Sequence, residues 1–153
     1  MFYDMHVHSK FSTDSTLDME TAVLKAIELG FDILGFSGHG HTNIDGSYCM
    51  SIENTKKYIA DINALKEKYK DKILVLCGLE SDIVAKHEDY NYDFVISSTH
   101  YIKAGDGFMD VDESKEKQQE CIDLYYGKDP YAYAEEYYKS VAKLRGDIIG
   151  HFD

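Results

Sequence analysis

Short apolar runs alternate with longer amphipathic stretches along the whole chain. Residues 2–7 read as a strand, and 17–29 as a helix with Met19, Val23 and Ile27 at helical spacing and Gly30 at its end. Residues 32–37 (Asp-Ile-Leu-Gly-Phe-Ser) form a second strand pattern. A charged amphipathic helix over 52–69 follows, with Ile59, Ile62 and Leu65 on one side. Residues 72–80 carry the run Ile-Leu-Val-Leu and 93–98 carry Phe-Val-Ile, both buried-strand patterns. Two further helices are expected over 113–126 and 131–144. Pro130, the only proline, starts the second of these, where the first helical N–H would lack a partner anyway. Residues 147–150 (Asp-Ile-Ile-Gly) read as a fifth strand. Strands alternating with helices of this length predict an α/β fold with a parallel sheet, open or closed into a barrel.

At 153 residues and 44% hydrophobic content, the chain can bury one core and is expected to form a single domain over 1–153. No apolar run is long enough to span a bilayer. The start, Met1-Phe2-Tyr3-Asp4, lacks the basic and apolar stretches of a secretory signal, so a cytoplasmic location is expected. Cys49, Cys77 and Cys121 are odd in number and widely spaced, which argues against structural disulfides. The net charge of −12 opposes a polyanion-binding surface, so neither nucleic acid nor membrane is an expected partner. A small phosphorylated substrate stays compatible, because bound divalent cations can invert the field of a pocket in an acidic protein. The sequence stops at His151-Phe152-Asp153, directly after a buried-looking strand. That reads as a truncated chain with strands missing, whose open sheet edge favours self-association.

The histidines stand where the strands end. His6 and His8 are two apart at the end of the first strand, so both imidazoles lie on one face and can converge on one ion. His39 follows the second strand, Glu80 ends the third, His100 follows the fourth and His151 the fifth. In parallel α/β folds this C-terminal edge is where ligand sites form. Imidazole and carboxylate donors suit zinc, iron, manganese or nickel, whereas calcium and magnesium prefer oxygen alone. A lone histidine near a strand end is ordinarily a satisfied core or surface residue, but coincidence on five strands makes that reading poor. His41, two past His39, reads as a rim residue within reach of substrate; His87, among polar neighbours, reads as a solvated loop residue. Asp14 precedes the first helix, where capping is the ordinary job of an aspartate.

Asp4-Met5-His6-Val7-His8-Ser9, Asp14, Gly38-His39, Gly78-Leu79-Glu80, Ser98-Thr99-His100 and Gly150-His151 together resemble the polymerase-and-histidinol-phosphatase (PHP) superfamily. The histidinol-phosphatase branch is the most similar, through the long helix before Leu74 and the segment from Tyr92 to Tyr101. The resemblance implies the N-terminal portion of a distorted seven-stranded TIM-like β/α barrel with two to three divalent transition metals (Zn, Fe or Mn) at its C-terminal rim. It would make His6, His8 and Glu80 ligands of one ion. Glu80 would bridge to a second held by His100 and His151, and Asp14 and His39 would hold a third. Asp4 and Asp153 would then orient imidazoles from behind. A later Asp-x-His pair that completes these shells in relatives has no counterpart here.

The implied activity is hydrolysis of a phosphate monoester by metal-activated water, foremost L-histidinol phosphate to L-histidinol in histidine biosynthesis. His41 or a metal-bound water would protonate the leaving group. The alternatives are another phosphoesterase of the superfamily, acting on a nucleotide or phosphoprotein, and a metal-binding module without catalysis.

Overall fold

The structure, a computed structural model, describes residues 1–83, 85 and 90–152. In chain order it begins β1 (Tyr3–Val7), α1 (Met19–Glu28), β2 (Ile33–Phe36), α2 (Ile52–Tyr69), β3 (Leu74–Asp82) and β4 (Phe94–Ser98). It continues β5 (Tyr101–Ala104), β6 (Gly107–Asp110), α3 (Lys115–Tyr125), α4 (Pro130–Val141) and β7 (Ile148–Ile149). The five predicted strands pair in parallel in the order β1-β2-β3-β4-β7. This order never reverses, so the sheet has no switch point of the doubly wound kind and curls as part of a β/α barrel.

Local chemistry fixes the helix boundaries. Asp18, not Asp14, caps α1 by accepting from the Thr21 N–H, and Gly30 at φ 77° turns the chain towards β2. Ser51 caps α2 through the Asn54 N–H, and Asp129 caps α4 ahead of Pro130. That last helix stops at Val141, three residues short of its predicted end, as turn bonds from Lys143 and Leu144 tuck Leu144 into the interior.

The main core joins Met19 and Val23 of α1 and Tyr58, Ile62 and Leu65 of α2 to Phe36, Val75, Cys77 and Leu79 of the sheet. Tyr58 also sets the site. Its buried hydroxyl donates to the Gly78 carbonyl at 2.8 Å and accepts from the Gly38 N–H at 3.2 Å. Backbone bonds from Glu80 to Gly38 and from Gly40 to Glu80 then clamp the His39 turn to β3. Gly78 has no room for a side chain, because an added Cβ would sit 2.2 Å from the Phe94 ring.

Two features depart from the predicted elements. Strand β3 runs on to Asp82, so Glu80 lies within it rather than at its end. The antiparallel hairpin β5–β6 occupies a stretch where the pattern predicts no element. Its strands are four residues each and turn through Gly105-Asp106 with Gly105 at φ 60°, a turn that favours glycine first. The hairpin, α3 and α4 share a second small core of Ile102, Ala104, Cys121, Ile122 and Tyr133. All three cysteines are free and buried. Among the described residues no helix is long and apolar enough to cross a membrane.

Candidate metal centre

All seven residues that the sequence singles out as ligands meet at the C-terminal edge of the sheet. Glu80 is the hub and only 1% exposed. Its Oε2 lies 3.1 Å from His6 Nε2, 3.0 Å from His8 Nε2 and 3.2 Å from His39 Nδ1. Its Oε1 lies 3.4 Å from both His100 Nε2 and His151 Nε2, and accepts the Ser98 hydroxyl at 2.6 Å. Asp14 Oδ2 sits 2.5 Å from His8 Nδ1 and 3.5 Å from His39 Nε2.

Nitrogen and oxygen donors crowd one small volume. His6 Nε2 and His8 Nε2 face each other at 3.1 Å, a contact that an N–H on one ring or a shared cation would satisfy. Three imidazole nitrogens crowd Glu80 Oε2, yet none is aligned as a hydrogen bond, so this buried oxygen goes unsatisfied within the protein. Four donor groups satisfy the spacing for one ion each: His6–His8–Glu80, His8–Asp14–His39, His39–Glu80–His100 and His100–Asp112–His151. Mixed nitrogen and carboxylate donors around a shared glutamate form a site for divalent metal ions.

Electrostatics agree with that reading. Burial alone would raise the Glu80 carboxyl, but the imidazoles of His100, His6 and His8 outweigh it and hold the group well below the carboxylate range. Burial, aided by crowding from His8 and His100, holds His39 down to about 4. It is therefore neutral at physiological pH and free to offer a lone pair. Burial also opposes charge on His100, yet Asp82 and Glu80 prevail and lift it to about 10. His8 is raised as well: Glu80 and Asp14 override the cost of its burial.

Sequence reasoning missed four supporting groups. Asp82 stands behind His100, accepting its backbone N–H at 2.6 Å with Oδ2 3.3 Å from Nδ1. It lies two residues past Glu80, so strand periodicity was the signal that could have found it. Tyr48 packs edge-on against the His39 ring, centroids 4.8 Å apart. Asp110 and Asp112, from the unpredicted hairpin, line the same basin of about 400 Å³.

Other expectations are corrected. Asp4 accepts from the backbone N–H of His6 at 3.0 Å, so it fixes the strand end rather than orienting an imidazole. His41 turns Nδ1 towards Cys49 Sγ at 3.9 Å and is not among the residues that line the basin. His87 and Asp153 lie outside the described residues.

A parallel, barrel-wound sheet whose strand ends carry this donor cluster defines a metal-binding β/α protein. The family follows from comparison: residues 4–153 match the PHP domain, and the chain belongs to that family. A histidinol-phosphatase of Bacillus subtilis is 24% identical over 90% of this chain and 58% of its own length. A crystal structure from Listeria monocytogenes superposes with a TM-score of 0.76 at 28% identity, covering 91% of this chain and 59% of that one. A second, the histidinol phosphate phosphatase of Lactococcus lactis complexed with zinc, L-histidinol and phosphate, gives 0.67 at 25% identity, covering 99% and 57%. The chain spans 54% to 60% of the length of the curated relatives it matches over nearly its whole extent.

Proposed function

We propose that residues 1–153 form a single phosphoesterase domain that hydrolyses L-histidinol phosphate to L-histidinol, a step of histidine biosynthesis, using two to three divalent ions of zinc, iron or manganese. The observation that carries the proposal is the convergence of three imidazole nitrogens within 3.2 Å of the unsatisfied Glu80 Oε2. His6, His8 and Glu80 would hold one ion; Glu80, His100 and His151 a second; Asp14 and His39 a third.

When bound, the cations supply Lewis acidity to phosphoryl oxygens and lower the pKa of coordinated water to about 7. The protein's own part is positional. Ser98 anchors one Glu80 oxygen, so the other is aimed at His6 and His8. Asp82 holds the backbone of His100 and faces its Nδ1, leaving Nε2 directed at Glu80. Tyr48 packs edge-on against the His39 ring. The basin, about 400 Å³, suits a small substrate. Support for the substrate comes from the Lactococcus lactis relative, whose structure holds L-histidinol and phosphate with zinc.

The test is phosphate release by the metal-loaded protein from L-histidinol phosphate and from a nucleotide panel. The expected result is turnover of histidinol phosphate that stops with a chelator. Preference for a nucleotide would overturn the substrate, and metal binding without any turnover would leave only a metal-binding module.

A further inference from the structure

The hairpin β5–β6 brings a carboxylate to the site that the seven-residue ligand set does not contain. Asp112 follows β6, and the bond from the Val111 N–H to the His100 carbonyl, 2.9 Å, ties this turn to the backbone of His100 itself. The Asp110 carboxylate accepts the Asp112 N–H at 2.6 Å and fixes the local turn. No hydrogen bond or ion pair among the described residues engages the Asp112 carboxylate. One of its oxygens falls within 4.8 Å of ligand nitrogens on both His100 and His151. The Nε2 atoms of these two histidines lie 3.4 Å from Glu80 Oε1, beside a buried Oε2 that no hydrogen bond satisfies.

We infer that Asp112 is a ligand, delivered by the hairpin, for an ion held with His100 and His151 beside Glu80. The inference rests on the metal-centre reading above. Two neutral imidazoles bring no charge to a divalent ion, and a Glu80 carboxylate shared with a second ion neutralises it only in part. Asp112 supplies further charge and an oxygen donor, and a five-coordinate shell still has a place for water. Asp110 plays a different part, because one of its oxygens is occupied by the Asp112 N–H.

The experiment is zinc titration of the metal-stripped protein against a competing chromophoric chelator, for wild type, Asp112→Asn, Asp112→Ala and Asp110→Asn. Circular dichroism confirms folding of each. Both Asp112 variants should weaken one zinc ion by at least about tenfold, the cost typical of losing even an outer-sphere partner, and leave the others unchanged. Asp110→Asn, whose amide oxygen still accepts the turn bond, should match wild type. Wild-type affinity in both Asp112 variants would overturn the inference, and so would an equal loss in Asp110→Asn. Failure of the wild type to bind zinc would instead sink the metal centre itself.

Discussion

Glu80→Gln isolates the charge on which the centre depends. The amide fills the same volume and its oxygen can still accept the Ser98 hydroxyl, so the buried site stays packed. Imidazoles that lose their counter-charge shed protons, and the metal-free variant should fold with a lowered melting temperature. The effect of metal is what changes. In the wild type each ion present at a hundred times its dissociation constant stabilises the native state by about 2.7 kcal/mol. Two ions sharing Glu80 contribute about 5 kcal/mol, which for a chain of this size raises the melting temperature by roughly 10–20 °C. Glu80→Gln removes the shared carboxylate from both donor sets. At most the ion at His8, Asp14 and His39 survives, worth about 2.7 kcal/mol and roughly 5–10 °C. Differential scanning fluorimetry with zinc or manganese, against a chelator control, measures the difference. A metal-induced shift in Glu80→Gln equal to that of the wild type would refute the reasoning.

His100, held at about 10, is protonated in the metal-free protein at neutral pH, so an ion must displace its proton. Zinc affinity should therefore rise between about pH 6 and 8, with about one proton released at that ion, and calorimetric enthalpies should vary with the buffer's ionisation enthalpy. The same elevation has a sign for stability: with chelator present, the contribution of His100 is full below 6.5 and fades as pH rises through about 10. Asp82→Asn should weaken the ion at His100 by about 10- to 100-fold, read by chelator competition, with little change in fold. Gly150→Ala would place a Cβ 2.1 Å from Ser98 Oγ, so it should cost about 1–3 kcal/mol in chemical denaturation and dislodge the hydroxyl that anchors Glu80.

The sheet was legible because its signal is local. Each run such as Leu74-Val-Leu-Cys or Phe94-Val-Ile is continuously apolar, the pattern parallel strands carry, although Leu74 itself is exposed at the start of its strand. Six of the seven ligands were legible for the same reason: a residue at or just past the end of a parallel strand points to the shared rim whatever the loops do, whereas Asp14, ahead of the first helix, is implied as a ligand only by the family resemblance. What escaped were groups placed by pairing rather than by periodicity. The hairpin strands are four residues each, with the exposed Phe108 and Lys103 on their outward faces, too short and mixed to stand out from loop. Asp112 could not be placed without the hairpin. Asp82 was hidden by ending the third strand two residues early. The family resemblance points Asp4 at an imidazole, whereas its carboxylate accepts the backbone N–H of His6, a bond that no sequence pattern signals.

The charge of the basin bears on how a phosphate could be held there. Its lining is His6, His8, His39, Tyr48, Glu80, His100, Asp110, Asp112 and His151, with neither lysine nor arginine among the described residues. Three carboxylates face five imidazoles, of which, in the metal-free protein at pH 7, His39 is neutral and His100 protonated. In a chain of net charge −12, such a pocket alone offers a phosphate dianion little attraction. Two divalent ions would bring four positive charges to the same small volume and reverse its field. On the proposed reading, substrate affinity and catalysis therefore have one source. On that reading the carboxylates hold the cations, and the cations, rather than basic side chains, hold the phosphate.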